Sequence, residues 1–326
     1  MKKKVFIIAE IGINHEGSIK KCIRLIKKAK LAGADAVKLQ TINPENNYVA
    51  KSKSFKIFSK GMLTINETKK AFSYAKKNKI KIFTTCGDIE TAKWIEKLNP
   101  VAWKISSGLI HHIPLIAYLA KFQRTMILST GIAKFEEIGQ AVQTIKSKGN
   151  KKIVILQCTS NYPVKNENIN LSKIRLYKKK FKCEVGFSDH SIGSDAAFLS
   201  IGAGAMYLEK HFTLDKKRKG FDHEISLEPK EFMNMVSKIR LAEKIMGSES
   251  QKLQKSVLKV RDNLKRVIVA KKNIKKGIKF SEENLSIKRG VNPKKSLPPS
   301  MISKVIGKKS LKSVKKDSSL TYSHFK

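Results

Sequence analysis

The chain has 326 residues, of which 41% are hydrophobic and 7% aromatic, so it can bury a large core and is not expected to be disordered. Its formal net charge is +42, from 68 Lys and Arg against 26 Asp and Glu. The lysines are spread along the chain in pairs, without a basic helix or zinc-finger spacing. We therefore expect a solvated lysine-rich surface and not a nucleic-acid-binding protein.

The sequence gives no sign of a membrane segment. No stretch approaches the ~18 apolar residues of a membrane span. The apolar run Val5–Ala9 is shorter than the ~7 to 15 residues of an export signal, and Glu10 ends it. The four cysteines form no CxxC pair, as is typical of reduced thiols. We expect a cytoplasmic protein with no membrane partner.

Short apolar segments alternate with amphipathic segments through residues 1–247. This alternation predicts parallel strands joined by right-handed helical crossovers, and eight strands are the number that closes a (β/α)8 TIM barrel, an α/β fold. The predicted strands are Val5–Ile11, Ala36–Gln40, Lys81–Thr85, Ala102–Ser106, Thr125–Ser129, Ile153–Thr159, Glu184–Ser188 and Met206–His211. The predicted helices are Ile19–Ala32, Asn66–Asn78, Ile89–Leu98, Phe135–Ser147 and Pro229–Met246.

Polar side chains collect where the predicted strands end, which is where barrel enzymes build their active sites. Each hydroxyl also has a structural interpretation, because Ser and Thr cap the following helices. Lys38 and Lys104 are harder to explain structurally, since a charge within a buried strand needs a partner or a ligand. Together with the neighbouring hydroxyls they predict an anion site. The strand-end residues are Glu10, Lys38, Gln40, Thr84, Thr85, Lys104, Ser106, Ser107, Ser129, Thr130, Thr159–Tyr162, Ser188–His190 and Glu209–His211.

The pattern changes after Met246. Residues 248–264 are polar and predict a linker or short helix. Residues 265–326 contain short β-type segments, Val267–Ala270 and Leu285–Lys288, and predict a small β-rich domain. A domain of this size is only marginally stable alone, so we expect it to pack against another surface.

A series of motifs in chain order now resembles a known family. The segments are IIAEIGINHEGS, AVKLQT, WKISSG, ILSTG, CTSNYP, GFSDHSIG, LEKHFT and GFDHEISLEP. They are similar to the N-acetylneuraminate (sialic acid) synthase family, and the tail resembles that family's C-terminal SAF, or antifreeze-like, domain. The resemblance covers essentially the whole chain. It implies a TIM barrel that condenses phosphoenolpyruvate with an N-acetylated aminosugar and releases phosphate.

The resemblance also implies roles for individual residues. It assigns Tyr162, Asp222 and Arg289 to the sugar, and we take Glu10 as the candidate catalytic carboxylate that assists the addition of water or steadies the cation. A divalent ion, Mn²⁺ or Mg²⁺, would be held by His190 and His211, and imidazole ligands favour manganese. The family further implies a homodimer in which each SAF domain contacts the partner's barrel. The residues implied to bind phosphoenolpyruvate are Lys38, Gln40, Thr85, Lys104, Ser107, Ser129, Ser160 and Ser188.

The identity of the sugar stays open. The family typically has an acidic residue where this chain has Leu109, and a leucine cannot accept a hydrogen bond from a sugar hydroxyl. The sugar therefore differs, is held elsewhere, or is contacted by His111 or His112. An N-acetylneuraminate synthase and a pseudaminic or legionaminic acid synthase both fit. The remaining alternatives are a distant aldol condenser of phosphoenolpyruvate, a non-catalytic carbohydrate-binding SAF protein, and a nucleic-acid binder.

Overall fold

The structure is a computed structural model that describes residues 4–248, 250, 252–290 and 294–325. The chain divides after Ser248 into two compact units. Within the first unit, eight parallel strands close into a barrel in chain order, so the predicted fold is confirmed. The strands are β1 Phe6–Gly12, β2 Ala36–Thr41, β3 Lys81–Cys86, β4 Ala102–Ile105, β5 Thr125–Ser129, β6 Ile153–Gln157, β7 Glu184–Asp189 and β8 Tyr207–His211.

Helices connect the strands and cover the barrel. Side-chain caps fix where several of them begin: Ser18 accepts a hydrogen bond from the Lys21 amide, and Thr64 forms a capping box with Glu67. The helices of this unit are α1 Ile19–Leu31, α2 Pro44–Asn47, α3 Lys53–Gly61, α4 Ile65–Lys77, α5 Ile89–Glu96, α6 Ile113–Ala120, α7 Phe135–Ser147, α8 Ser172–Phe181, α9 Asp195–Gly202 and α10 Pro229–Ile245. Short 3-10 helices lie at Ser107–Leu109 and Asn166–Asn168.

The barrel interior is apolar at one level and polar at the next. Its apolar layer contains Ile8, Ala36, Phe83, Ala102 and Ile127. Side chains two residues apart in a strand point to the same face. The residue two positions further along each of these strands therefore also points inward, closer to the carboxyl ends where barrel sites lie. At that level the inward residues are polar. These inward residues are Glu10, Lys38, Thr85, Lys104 and Ser129.

The second unit is small and contains an antiparallel pair of strands, β9 Arg266–Ala270 and β10 Leu285–Arg289. Its own core includes Ile268, Phe280 and Leu320. Helix α11, Lys255–Leu264, lies in the segment predicted as a linker or short helix, and α12 spans Ile302–Val305. Further 3-10 turns lie at Pro299–Met301 and Tyr322–His324. Among the described residues, no helix has the length and apolar character needed to cross a membrane.

Candidate active site at the carboxyl end of the barrel

A cavity of about 210 Å³ opens at the carboxyl ends of the barrel strands. Larger hollows of about 590 and 680 Å³ lie at the opposite end, but none of the strand-end residues predicted to carry chemistry lines them. We therefore place the candidate site in the smaller cavity. The predicted residues that line it are Glu10, Lys38, Gln40, Lys104, Ser107, Ser129, Ser160, Tyr162, Ser188, His190 and His211.

Buried charges of both signs form the floor of this cavity. The Lys38 ammonium lies 3.2 Å from Glu10 Oε1 and 3.2 Å from Glu209 Oε2. Lys104 Nζ lies 3.6 Å from Glu209 Oε1. All four side chains are at most 3% exposed, and a buried charge persists only where opposite charges and hydrogen bonds compensate it. The floor is therefore a balanced quartet of two lysines and two glutamates.

The two carboxylates of the quartet have very different proton affinities. Burial raises the pKa of Glu10 to about 7, and the nearby negative charge of Glu209 adds to the rise against the opposing effect of Lys38. Burial also acts to raise the pKa of Glu209, but Lys104 and Lys38 together outweigh it and lower that pKa to about 2. Glu209 is thus a permanent anion, whereas Glu10 exchanges a proton near neutral pH.

Lys104 is the cationic member of a set of hydrogen-bond donors that could bind an anion. Its ammonium donates to Ser129 Oγ at 2.7 Å, and burial lowers its pKa to about 8. Ser188 Oγ donates to Glu209 Oε1 at 3.0 Å. Cationic and hydroxyl donors converging in a water-poor cavity suit a phosphate or carboxylate.

The serines on the other wall approach closely around a glycine. The Gly131 amide donates to Ser107 Oγ at 2.9 Å. A Cβ added at Gly131 would lie 2.2 Å from Ser160 Oγ and 2.8 Å from Ser107 Oγ, closer than any real contact. Glycine at this position therefore allows the two hydroxyls to reach the cavity together.

His190 and His211 lie side by side, with ring centroids 5.3 Å apart. His190 Nδ1 donates to the Thr159 carbonyl at 2.9 Å, which leaves the lone pair on Nε2. Burial and the positive charges of His190 and Lys38 hold the pKa of His211 well below its usual range. The buried Nδ1 of His211 has no hydrogen-bond partner. Two adjacent imidazoles fit a divalent ion whose remaining ligands are oxygens. Residues 4–248 and the described part of the second unit contain no cluster of three His, Cys, Asp or Glu suited to a metal.

Tyr162 and Asp222 border the two histidines. The Tyr162 ring stacks on His190 with centroids 4.2 Å apart, and its hydroxyl lies 3.2 Å from His190 Nε2. Asp222 Oδ2 lies 3.6 Å from His211 Nδ1. Asp222 is partly buried and stands in the loop that follows β8. The structure thus brings both predicted sugar-binding residues of the barrel to the rim of the cavity.

Two predicted site residues of the barrel, Asp222 and Thr85, are not among those that line this cavity. Thr85 is buried, and it lines an adjoining pocket of about 200 Å³ together with Gln40 and Leu109. Its hydroxyl has no hydrogen-bond partner. Arg289 is exposed on β10 in the second unit.

Glu209 was predicted at the end of a strand, without a role in the site. The signal was present, because Glu209 lies two residues before His211 and therefore faces the same side of β8. Between them, Lys210 faces outward and pairs with Asp189 at 3.0 Å, with both side chains fully buried. Cys158 was also missed as a lining residue; its Sγ lies 3.7 Å from His190 Nδ1.

Comparison with known proteins identifies the class. The NeuB family model matches residues 25–251, and the SAF domain model matches residues 265–326. The chain therefore belongs to the NeuB family, and the predicted resemblance and the predicted SAF domain are confirmed. The prediction of an enzyme of the phosphoenolpyruvate-condensing synthase type is confirmed with it.

Named relatives lie within this family. The chain is 36% identical to pseudaminic acid synthase of Campylobacter jejuni, over 96% of this chain and 94% of that protein. It is 37% identical to N,N'-diacetyllegionaminic acid synthase of the same species, over 89% and 92% respectively. The crystal structure of N-acetylneuraminic acid (sialic acid) synthetase from Leptospira borgpetersenii matches with a TM-score of 0.76 and 32% identity, over 80% of this chain and 92% of that one.

Proposed function

We propose that this protein is a nonulosonic acid synthase that condenses phosphoenolpyruvate with an N-acetylated aminosugar and releases inorganic phosphate. The observation that carries the proposal is the inward polar layer of the barrel. It combines two buried lysines, a carboxylate with a pKa of about 7 and two adjacent imidazoles in one cavity. Family membership supports the same reaction class.

Phosphoenolpyruvate carries two anionic groups, and the cavity offers a set of donors for each. In our proposal Lys104 and the serines bind the phosphate, namely Ser107, Ser129, Ser160 and Ser188. Lys38, Gln40 and Thr85 bind the carboxylate end. Charge-assisted hydrogen bonds from ammonium groups to anions are stronger than neutral ones, so the two lysines supply most of the affinity.

The reaction joins two carbons and breaks one carbon–oxygen bond. The enol carbon of phosphoenolpyruvate attacks the aldehyde carbon of the open-chain sugar, and the aldehyde oxygen takes up a proton to become a hydroxyl. The positive charge left at the former enol carbon captures a water molecule, which loses a proton. The resulting tetrahedral intermediate then expels phosphate and leaves a 2-keto acid.

Glu10 is the residue we assign to the water step. A general base works best when its pKa lies near the operating pH, and the pKa of Glu10 is about 7. Glu209, with a pKa of about 2, stays ionised and holds Lys38 and Lys104 in place. The anionic pair also offsets the positive charge that develops at the reacting carbon.

A divalent ion completes the proposal, with His190 and His211 as its protein ligands. The chemistry that Mn²⁺ or Mg²⁺ supplies in such a site is Lewis-acid polarisation of the aldehyde oxygen. The protein's part is to present two adjacent imidazoles, one oriented by the Thr159 carbonyl. Imidazole ligands favour manganese.

The pocket beside the cavity bears on the choice of sugar. Leu109 lines it with Ile42, Tyr48 and Phe58, and polar groups come from the rest of its wall; the leucine itself offers no acceptor to a sugar hydroxyl. The second candidate substrate, beside N-acetylmannosamine, is therefore the aminosugar used to make a pseudaminic or legionaminic type of acid. Such a sugar carries a deoxy carbon and a second acylamino group. The named relatives include synthases of both acids.

We propose the domain organisation and assembly on the family's pattern. The catalytic barrel spans residues 1–247, residues 248–264 form the connection, and residues 265–326 form the SAF domain. The active form is a cytoplasmic homodimer in which Arg289 contacts the sugar bound to the partner's barrel. An exposed arginine on β10 is available for such a contact.

The decisive experiment is a phosphate-release assay with Mn²⁺ and phosphoenolpyruvate. N-acetylmannosamine and bacillosamine-type diacetamido sugars are compared as acceptors, and mass spectrometry identifies the nine-carbon acid. Phosphate release that requires both an aminosugar and phosphoenolpyruvate supports the proposal. A protein that binds sugars but releases no phosphate with any of them would instead be a non-catalytic SAF protein.

A further inference from the structure

The loop that follows β1 holds the loop that follows β8, and Asn14 makes the central contacts. Its side-chain Nδ2 donates to the Phe212 carbonyl at 3.1 Å and to Ser226 Oγ at 3.0 Å. Its Oδ1 accepts a hydrogen bond from the Asp222 amide at 3.1 Å. Asn14 is only 3% exposed, so these bonds form away from competing water.

These bonds hold the Asp222 backbone from both sides. The amide of Asp222 donates to Asn14, and its carbonyl accepts a hydrogen bond from Ser226 Oγ at 2.6 Å. Ser226 Oγ in turn accepts from Asn14, which closes a ring of three hydrogen bonds around one residue. The Asp222 carboxylate takes no part in the ring and stands 3.6 Å from His211 Nδ1.

We propose that Asn14 is a positioning residue that fixes the Asp222 carboxylate against His211 at the rim of the active site, and thereby sets the affinity for the aminosugar. This inference rests on the proposed function, because it assigns Asp222 to the sugar. Asn14 itself lines none of the cavity wall, so its effect reaches the substrate only through Asp222.

The chemistry of the amide explains why asparagine stands at this position. One side of the amide must accept a backbone hydrogen bond and the other must donate two. An aspartate is an acceptor only, and an alanine offers neither group. Removal of Asn14 leaves the partly buried Asp222 amide and the buried Phe212 carbonyl without this partner, and a shift of the loop would relieve that cost. A displacement of about 1 Å at a substrate-positioning group costs on the order of 10²-fold in rate.

A second group of contacts holds the outer part of the same loop. Glu16 accepts hydrogen bonds from Arg218 Nη2 at 2.7 Å and from Lys21 Nζ at 2.8 Å, and it lies 3.2 Å from His223 Nε2. His223 is itself within 2.7 Å of Thr213 Oγ1. Glu16 and Asn14 therefore each bind the loop that follows β8, at two separate points. The inner point is buried beside Asp222, and the outer point is partly exposed.

The test uses the full-length protein with three variants. Asn14→Ala removes the whole amide, and Asn14→Asp keeps the acceptor for the Asp222 amide but loses the donor. Asn150→Ala is the matched control, because Asn150 is 1% exposed and also bonds backbone groups, at Arg124 O and Lys152 N. It belongs to the opposite end of the barrel. Steady-state kinetics gives KM for each substrate, and hydrogen–deuterium exchange reports on residues 213–228.

We expect Asn14→Ala to raise KM for the aminosugar by at least about tenfold and to speed exchange in residues 213–228, while KM for phosphoenolpyruvate changes less than about twofold. Asn14→Asp should lie between Asn14→Ala and wild type in both measurements. Asn150→Ala should move neither. If Asn14→Ala does not fold, Asn14→Asp carries the test alone.

Two results would overturn the inference. One is faster exchange in residues 213–228 with an unchanged KM for the aminosugar, since Asp222 would then need no positioning. The other is an equal rise in both KM values for Asn14→Ala and Asn150→Ala, which would indicate a general packing effect. A wild-type protein that releases no phosphate with any aminosugar contradicts the proposed function instead. In that case the exchange data and direct measurement of sugar binding would still test whether Asn14 holds the loop that follows β8.

Discussion

The carboxylates of Glu10 and Glu209 share one ammonium group: Lys38 Nζ lies 3.2 Å from an oxygen of each. Lys104 approaches Glu209 and not Glu10 within salt-bridge distance. The second lysine therefore stabilises the ionised form of one glutamate much more than that of the other. This asymmetry separates two chemically identical groups into a permanent anion and a group that titrates near neutral pH.

The first prediction concerns turnover. Glu10→Gln keeps the size of the side chain but removes the base, so we expect kcat to fall on the order of 10²- to 10⁴-fold. KM for phosphoenolpyruvate should change little, because Lys38 and Lys104 remain. The measurement is phosphate release under saturating substrates. The wild-type kcat/KM should rise with pH through about 7, the pKa of Glu10, and the variant should lose that limb. Wild-type turnover in Glu10→Gln would remove the assignment.

The second prediction concerns stability. The pKa of Glu10 is raised from 4.5 to about 7 in the folded protein, so the folded state keeps a proton that the unfolded state has lost. The stability contributed by this group is fully present below about 4.5 and is lost as pH rises through about 7. The loss is on the order of 3 kcal/mol. Glu10→Gln does not titrate, so its free energy of unfolding should increase relative to wild type between pH 4.5 and pH 8.

Chemical denaturation across this pH range measures the difference. Glu136→Gln, an exposed position on α7, controls for the loss of a carboxylate as such. A difference between Glu10→Gln and wild type that stays constant from pH 4.5 to pH 8 would show that the Glu10 pKa is not raised.

The third prediction concerns metal removal. Dialysis against a chelator should abolish phosphate release, and Mn²⁺ should restore it. His190→Gln and His211→Gln should each lower bound manganese, measured by elemental analysis after gel filtration. His324→Gln, in the second unit, is the control. Full activity after chelation, with no metal detected, would contradict the assignment of the two histidines.

The strand pattern made much of this site predictable. Alternation along β2 and β4 places Lys38 and Lys104 inward, and the barrel then brings them together because strand ends meet at one rim. The same alternation and the predicted closure of β8 against β1 also place Glu209 inward at this rim. Its pairing with both lysines was not predictable, because a strand pattern does not show which charged groups approach each other. The role of Asn14 was hidden because its partners belong to the loop after β8, which has no periodic pattern.

Thr85 shows a further limit. Period-two alternation correctly placed it inside the barrel, but it could not decide which of two adjoining pockets the hydroxyl faces. That depends on the connection between β2 and β3, where Tyr48 stacks on Phe58 of α3 with centroids 5.4 Å apart and the two rings form one wall. The strand alternation carries no information about how this connection packs.

The last prediction concerns the choice of sugar. Leu109 lines the adjoining pocket with the two stacked rings of Tyr48 and Phe58, and an apolar group on the sugar loses less solvation energy there than a hydroxyl does. Leu109→Glu introduces an acceptor for a hydroxyl and a charge next to the rings. We expect kcat/KM for a diacetamido deoxy sugar to fall at least about tenfold, and the ratio of N-acetylmannosamine to that sugar to rise by a larger factor. Leu109→Met keeps the wall apolar at similar volume, so it should preserve the wild-type ratio in the same competition assay with both sugars present. An unchanged ratio in Leu109→Glu would mean that this pocket does not contact the part of the sugar that distinguishes the two substrates.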